Sequence, residues 1–396
     1  MKKFLVVMVL LFVHVMLFAE DKTNPFNFSG YFWVDQGYMQ AENRLFDGTS
    51  PGPSNPDREQ FYQAGRFVLA VGYIRELGNL YAKARTSFAV NSNYYSNPGS
   101  RVDRFAFIPL DAYVEVGVND LFGIGNLLGF RVGRFEGFEL YHMGMGLDQY
   151  SDERLGVNYN GRMIDIYELN AVRGYFHAGQ GQAAAHFFFQ DILKFELAGL
   201  FGVDDSFFNH YGVRPVVDIS TRSLFSMVPF KIVAGLEWTI VDPSSTIAIS
   251  QEATTFGYGG RVQLDEMPLP FLNSAITLGF NYTNKNFEQL VVRMSTAAPR
   301  LVDNTNSGDT ISYGFFLNYG FLDTFVIGGG YHMSEYKNYS GTEITHRQPF
   351  LAAQYFTPVE GLSVKGVLGV GTEGNYPDEK LNAKLTSFRL RVEYEF

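Results

Sequence analysis

From residue 383 to residue 396 the chain alternates with a period of two. Lys384, Thr386, Phe388, Leu390, Val392, Tyr394 and Phe396 share one face, and Ser387, Arg389, Arg391, Glu393 and Glu395 share the other. Period two is the period of a β-strand. Aromatic and aliphatic residues backed by a row of ions suit neither a helix nor a soluble core, but they suit a wall between lipid and water. The pattern returns at Phe230, Ile232, Ala234, Leu236, Trp238 and Ile240, opposite Lys231, Gly235, Glu237 and Thr239. It returns again at Ile311, Tyr313, Phe315, Leu317 and Tyr319, opposite Ser312, Gly314 and Asn318.

About eighteen such segments can be traced: 27–38, 61–74, 79–91, 106–119, 126–135, 161–169, 172–178, 183–190, 193–202, 213–222, 230–241, 253–264, 273–284, 309–320, 323–335, 346–357, 361–372 and 383–396. Tight turns at 75–78, 191–192, 321–322 and 358–360 alternate with long polar connections at 39–60, 92–105, 136–160, 203–212, 285–308 and 373–382. Short turns at one end and long loops at the other place both termini in the periplasm, provided that the strand number is even. The expected fold class is therefore all-β, a transmembrane antiparallel β-barrel of eighteen strands, or of sixteen, since 161–202 is the least regular stretch. Asp47-Gly48-Thr49-Ser50-Pro51-Gly52-Pro53 reads as an external turn-rich loop.

Composition agrees with a barrel. Aromatic residues make up 16% of the chain, with 38 Phe, 24 Tyr and 41 Gly, yet the mean hydropathy is −0.06. The long Leu/Ile/Val-rich helices or parallel strands of a soluble domain of this length are missing. In lipid every backbone group must be paired, so a spanning sheet must close.

The N-terminus explains how the chain would reach a membrane. Met1-Lys2-Lys3 is a basic head, Phe4 to Phe18 is an apolar run short for a bilayer span, and Ala19 offers a cleavage site. Residues 1–19 are thus expected to be a signal peptide and 20–396 the barrel. No Cys follows, which excludes a lipoprotein, disulfides and Cys-based metal sites. The formal charge of −10, two units more negative once Lys2 and Lys3 leave with the signal, argues against a nucleic-acid partner.

Sixteen to eighteen strands enclose an aqueous channel. Its lining, by parity, holds Arg66, Lys83, Arg85, Arg131, Arg173, Lys194, Arg214, Lys231, Arg261, Lys365, Arg389 and Arg391, with Asp111, Glu115, Asp165, Glu196, Asp218, Glu237, Glu393 and Glu395. The signs nearly balance, so a neutral solute fits at least as well as an ion. Most of these charges are expected to hydrate and cross-link the wall.

Three features resemble maltoporin-type sugar porins. Phe28-Ser29-Gly30-Tyr31 is similar to that family's first strand, and Arg134-Phe135 followed by His142-Met143 is similar to the start of its third external loop. That loop folds into the channel and narrows it, and here it falls after the fifth strand, at 136–160. The eighteen-strand count is the third feature, and the motifs cover the first 160 or so residues.

The resemblance implies a row of aromatics for sugar rings flanked by ionised side chains. Tyr31 carries over directly, Trp33 stands where the family has a basic residue, and Phe138 and Met145 stand where it has Arg and Asp. With the inward residues, the candidate lining for substrate becomes Tyr31, Trp33, Arg66, Arg85, Tyr113, Arg131, Phe138, Tyr141, Tyr150 and Tyr167. For the aromatics among them the competing role is packing or an interfacial girdle, the role assigned to outward-facing Trp238. Homotrimer assembly is implied by the resemblance alone. So is the meaning of Phe396 at the end of the last strand, which is similar to the terminal signature read by barrel-insertion machinery.

No enzyme is expected. His142, His177, His186, His210, His332 and His346 are scattered without a catalytic spacing, and His14 belongs to the signal. Asp148, Asp152, Glu153, Asp204 and Asp205 lack calcium-loop spacing, so neither a metal nor another cofactor is expected. The reading is an outer-membrane channel for passive diffusion of small hydrophilic solutes, oligosaccharides in the first place. Its rivals are a general diffusion pore and a structural or adhesive barrel.

Overall fold

The computed structural model describes residues 25–42, 58–97, 100–121, 126–135, 181–190, 192–201, 210–225, 229–241, 249–270, 274–295, 298–302, 308–338, 343–374 and 383–396. These form β1 (Phe26–Glu42), β2 (Arg58–Leu77), β3 (Leu80–Asn97), β4 (Ser100–Leu121), β5 (Asn126–Arg134), β6 (Gly181–Phe189), β7 (Leu193–Phe201), β8 (His210–Ser220) and β9 (Phe230–Val241). Then come β10 (Ile249–Leu269), β11 (Ser274–Ser295), β12 (Ala298–Val302), β13 (Gly308–Phe321), β14 (Phe325–Asn338), β15 (Glu343–Phe356), β16 (Leu362–Gly374) and β17 (Ala383–Glu395). There is no helix among the described residues.

All pairings are antiparallel. Each strand pairs with its sequence neighbour, β11 passes directly to β13, and β17 pairs back onto β1. Sixteen strands therefore close into a ring. β12 lies outside it and, among the described residues, pairs with β11 alone, from Val291↔Val302 to Ser295↔Ala298.

β5 pairs with β6 from Asn126↔Phe189 to Gly133↔Gln182. The ring thus closes without 161–169 and 172–178, which fall outside the described residues, and the wall is the sixteen-stranded of the two alternatives. Two of the expected connections are corrected: 92–105 and 285–308 are largely strand, with β3 running to Asn97, β4 starting at Ser100 and β11 running to Ser295. The reason is length. β4 and β11 have 22 residues each, and at about 3.3 Å per residue such a strand rises about 50 Å even when tilted by 45°, well past an apolar band about 25 Å tall. Beyond the band both faces meet water, and the alternation that betrays a strand is lost.

Within the band the parity holds. Phe388, Leu390 and Val392 are 50%, 44% and 43% exposed, while Arg389 and Arg391 between them are 2% and 3% exposed. This inversion of a soluble protein continues around the barrel: Val114, Val116, Phe130, Val132, Phe195, Leu197, Ile232, Leu236, Phe280, Phe315 and Leu317 all face outward and exposed. Trp238 sits on the same outer face. So large an exposed apolar surface calls for lipid.

The first and last strands meet along twelve paired positions, Tyr31↔Glu395 to Glu42↔Lys384. At the seam's foot Gly30 N donates to the Phe396 carbonyl at 2.9 Å and Phe396 N to the Gly30 carbonyl at 3.0 Å. The Phe396 ring stacks beside Phe67 and Tyr394.

On the inner face, aromatic rings lie flat over glycines. A Cβ at Gly117 or Gly129 would stand 2.6 and 2.5 Å from the Tyr81 side chain, and one at Gly279 would stand 2.6 Å from Phe316. Glycine is needed there because the ring occupies the space a side chain would take, and the ring in turn covers backbone that glycine leaves bare.

Leu236→Arg should lower barrel stability by about 2–4 kcal/mol, a charge placed in the lipid band, whereas Gly235→Arg on the inner face should cost much less. Urea-induced unfolding from lipid vesicles measures both, and equal losses at the two positions would mean that the faces are reversed.

Candidate functional site

The inner wall is where solutes would meet the protein, and it is built from ions set opposite one another by strand register. Lys83 on β3 is paired with Glu115 on β4, and Glu115 with Arg131 on β5. The contacts follow: Lys83 Nζ lies 2.8 Å from Glu115 Oε1, Arg131 Nε 2.6 Å from Glu115 Oε2, and Tyr81 Oη donates to Glu115 Oε1 at 2.8 Å. A diagonal step reaches His186 on β6, whose Nδ1 is 4.0 Å from Glu115 Oε2 and whose Nε2 is 3.0 Å from Glu196 Oε2 on β7. His186 and Glu196 are register partners. Arg214 on β8 closes the next step, 3.2 Å from Glu196 Oε1 and 3.9 Å from Glu237 Oε2 on β9, with Gln182 Oε1 accepting from it at 2.9 Å. Asp218 on β8 lies 3.9 Å from Lys194 and 3.4 Å from Lys231.

One ladder of ions thus crosses seven adjacent strands, β3 to β9. Opposite charges directly across a strand pair stabilise the pairing, and a carboxylate backed by lipid needs partners to offset its lost hydration. Glu196, Arg214 and Glu237 are buried. His186, read from sequence as one of several scattered histidines, sits in the middle of the ladder between two carboxylates.

A second cluster marks the seam. Arg391 on β17 grips Asp35 on β1 bidentately, Nε to Oδ1 at 2.7 Å and Nη2 to Oδ2 at 3.0 Å. Arg389 Nη1 lies 3.7 Å from the same carboxylate. Two parallel bonds from a planar guanidinium give this pair direction as well as strength. It joins residues 356 apart in the sequence, so ring closure and this ion pair form together.

The closed ring, apolar outside and ionic inside, decides the class of architecture. This is the fold of outer-membrane β-barrel proteins. No family model matches the chain, and no curated protein does, but solved structures match along nearly its whole length. OprB of Pseudomonas putida, in its high-pH structure, has a TM-score of 0.54 at 11% identity, with 93% of this chain and 94% of that one covered. OmpT, an outer membrane protein of Vibrio cholerae, gives 0.52 at 12% identity for its in-vitro folded form, with 94% and 97% covered. Its trimer form gives 0.52 at 12% identity, with 94% and 99% covered. At such identity the likeness is one of fold.

Of the residues singled out from sequence, Tyr31, Trp33, Arg66, Arg85, Tyr113 and Arg131 all occupy the inner parity. Arg131 lies over the Tyr113 ring at 4.3 Å, Arg391 over the Trp33 ring at 4.1 Å and Arg66 near the Tyr31 ring at 6.0 Å. Each aromatic is therefore coupled to a guanidinium, the geometry of a cation over a π face. Arg85 lies 3.6 Å from Asp111, which also accepts from Ser87 Oγ at 2.9 Å. Phe138, Tyr141, Tyr150 and Tyr167 lie outside the described residues, as do Arg173, Asp165, the signal peptide and the connection 136–160.

Sequence reasoning missed Tyr81 and Gln182 as wall members; His186, expected at the rim or in the lumen, is on the inner wall, and what sequence did not give is its place between Glu115 and Glu196. It also missed an apolar patch on the inner face, where Phe135, Ala184, Ala198 and Leu200 are buried together against Tyr113. Alternation alone assigns a residue to a face; only register says which neighbours it meets there.

Asp35→Asn should lower stability by about 3–5 kcal/mol, because it leaves Arg391 buried without its charge partner. Asp111→Asn, which breaks a more exposed pair, should cost less than about 1 kcal/mol. Vesicle-based unfolding curves compare them, and similar losses would deny the seam pair its special place.

Proposed function

We propose that this protein is an outer-membrane pore through which small hydrophilic solutes diffuse passively. The observation that carries the proposal is the sixteen-stranded closed wall with an ionic inner face and an apolar outer one. A ring of that many strands is wide enough to hold a water-filled lumen, and Lys83, Arg131, Lys194 and Lys231 carry charge from the buried ladder toward water. Export by the signal peptide at 1–19 belongs to the same proposal, with Glu20 as the first residue of the mature chain.

Oligosaccharides are the solutes proposed first. Tyr31, Trp33 and Tyr113 on the inner wall, each beside a guanidinium, combine an apolar ring with hydrogen-bond donors, which is the pairing that a sugar's flat face and hydroxyl edge require. The connection at 136–160 is proposed to narrow the lumen. Support comes from the apolar patch of Phe135, Ala184, Ala198 and Leu200, at the end of β5 where that connection begins. Homotrimer assembly is carried by the sugar-porin resemblance and by the trimer form of OmpT among the fold's neighbours.

Reconstituted in a planar bilayer, the protein should give stepwise conductance that a maltooligosaccharide blocks in a saturable way. Tyr31→Ala with Trp33→Ala should weaken the block several-fold while leaving the open current nearly unchanged, since each stacked ring contributes on the order of 1 kcal/mol. Shortening 138–156 should raise the conductance. A conducting pore indifferent to sugar and to the deletion would leave a general diffusion pore, and a sealed membrane would leave a structural barrel. Native electrophoresis in mild detergent should show a trimer; a monomer with full conductance would remove that part.

A further inference from the structure

Formal charge along the inner wall nearly balances, but the two signs do not reach the lumen equally. The side chains of Glu115 and Asp218 are 1% and 3% exposed, while those of their partners Lys83, Lys194 and Lys231 are 28%, 38% and 19% exposed. Arg85 is 44% exposed over Asp111 at 20%. The cause is length. A carboxylate on a short stem stays against the backbone, whereas lysine and arginine lay an apolar stem along the wall and carry the charge out to water. Among the described residues the order reverses between β16 and β17, where Lys365 is 11% exposed beside Glu393 at 19% and Glu395 is exposed.

We infer that the pore prefers anions, and that the solutes it favours carry a carboxylate or a phosphate. This rests on the pore reading and names the chemistry of its solute. Position supports it as well as exposure. Lys194 and Lys231 are the second residues of β7 and β9, at the short-turn mouth, while Lys83 and Arg85 are the fourth and sixth residues of β3 and lie deeper. The exposed bases therefore stand in two groups, Lys194 and Lys231 at the mouth on β7 and β9, and Lys83 and Arg85 deeper on β3, with Arg131 on β5 between them. An anion entering there meets ammonium groups at the mouth and again deeper in the lumen, each attracting it weakly enough to let it pass on. The carboxylates behind them lie farther from the path and lower the attraction without cancelling it.

The test is the reversal potential of the full-length protein in a planar bilayer under a potassium chloride gradient. Its sign should show chloride crossing more readily than potassium. Removing one base should lower the chloride-to-potassium permeability ratio about fourfold, because a unit charge roughly 6 Å from the path in water at 0.1 M salt favours chloride and disfavours potassium by about twofold each. K194Q and K231Q should each do so and should add, while K194R and K231R should keep the preference. In proteoliposomes, glucose 6-phosphate entry relative to glucose should fall in K194Q/K231Q, with glucose entry unchanged. Conductance with a potassium preference, or a phosphate-to-glucose ratio indifferent to the lysines, would overturn the inference and leave the pore standing. Absence of conductance would instead overturn the pore reading beneath it.

Discussion

A β-strand in hydrocarbon has no water to satisfy its edge, and every other feature of this molecule depends on that constraint. Each unpaired N–H or C=O in the bilayer core costs several kcal/mol, so the sheet cannot end inside the membrane. β1 has to meet β17, although nothing local in the sequence brings them together. What meets at the seam is specific on three levels. Gly30 and Phe396 exchange backbone hydrogen bonds at its foot, Asp35 and Arg391 lock it from the inside, and Phe388, Leu390 and Val392 carry the lipid-facing surface across it. A slip of one residue would set Asp35 opposite a leucine and turn arginines toward lipid. Closure and register are therefore selected together.

Much of this was legible in the chain because lipid and water impose opposite demands at a period of two. The face on which each residue of β9, β13 and β17 lies follows from that alternation alone. What did not follow was register, and with it the partnerships. Glu115 could be assigned to the inner face, but its contacts with Lys83, Arg131 and Tyr81 depend on which residues stand directly across β3 and β5. His186 shows the same limit: seen as a letter it is one of seven histidines, and only pairing with Glu196 makes it part of a ladder. The long extensions of β3, β4 and β11 were illegible for a different reason. Outside the apolar band lipid no longer dictates one face of a strand, so a polar run such as the one that follows Asn91 reads as a loop.

The ion ladder and the outer apolar belt are two sides of the same twelve or so ångströms of wall. A lone carboxylate on the inner face of a thin sheet feels low-dielectric lipid behind it, even with water in front. Pairing across strands relieves this, and the residues that do the pairing are chosen by geometry: short acids stay low, long bases bridge over them. Wall stability and the electrostatic character of the lumen are for this reason not independent properties of the chain. A sequence that satisfies the first with these side-chain lengths acquires the second.

The rings seated on glycine also decide how much of the barrel's interior is left open. Tyr81 lies across two neighbouring strands instead of standing away from one, filling the hollows at Gly117 and Gly129, and Phe316 does the same over Gly279. Large side chains on an inner wall would ordinarily crowd the axis. Laid down in this way they thicken the wall by the depth of one ring, and the bore is set by the number of strands and not by the bulk of its residues. Replacing those glycines with larger residues would tip the rings toward the axis, so small residues in the wall are what keep the passage wide.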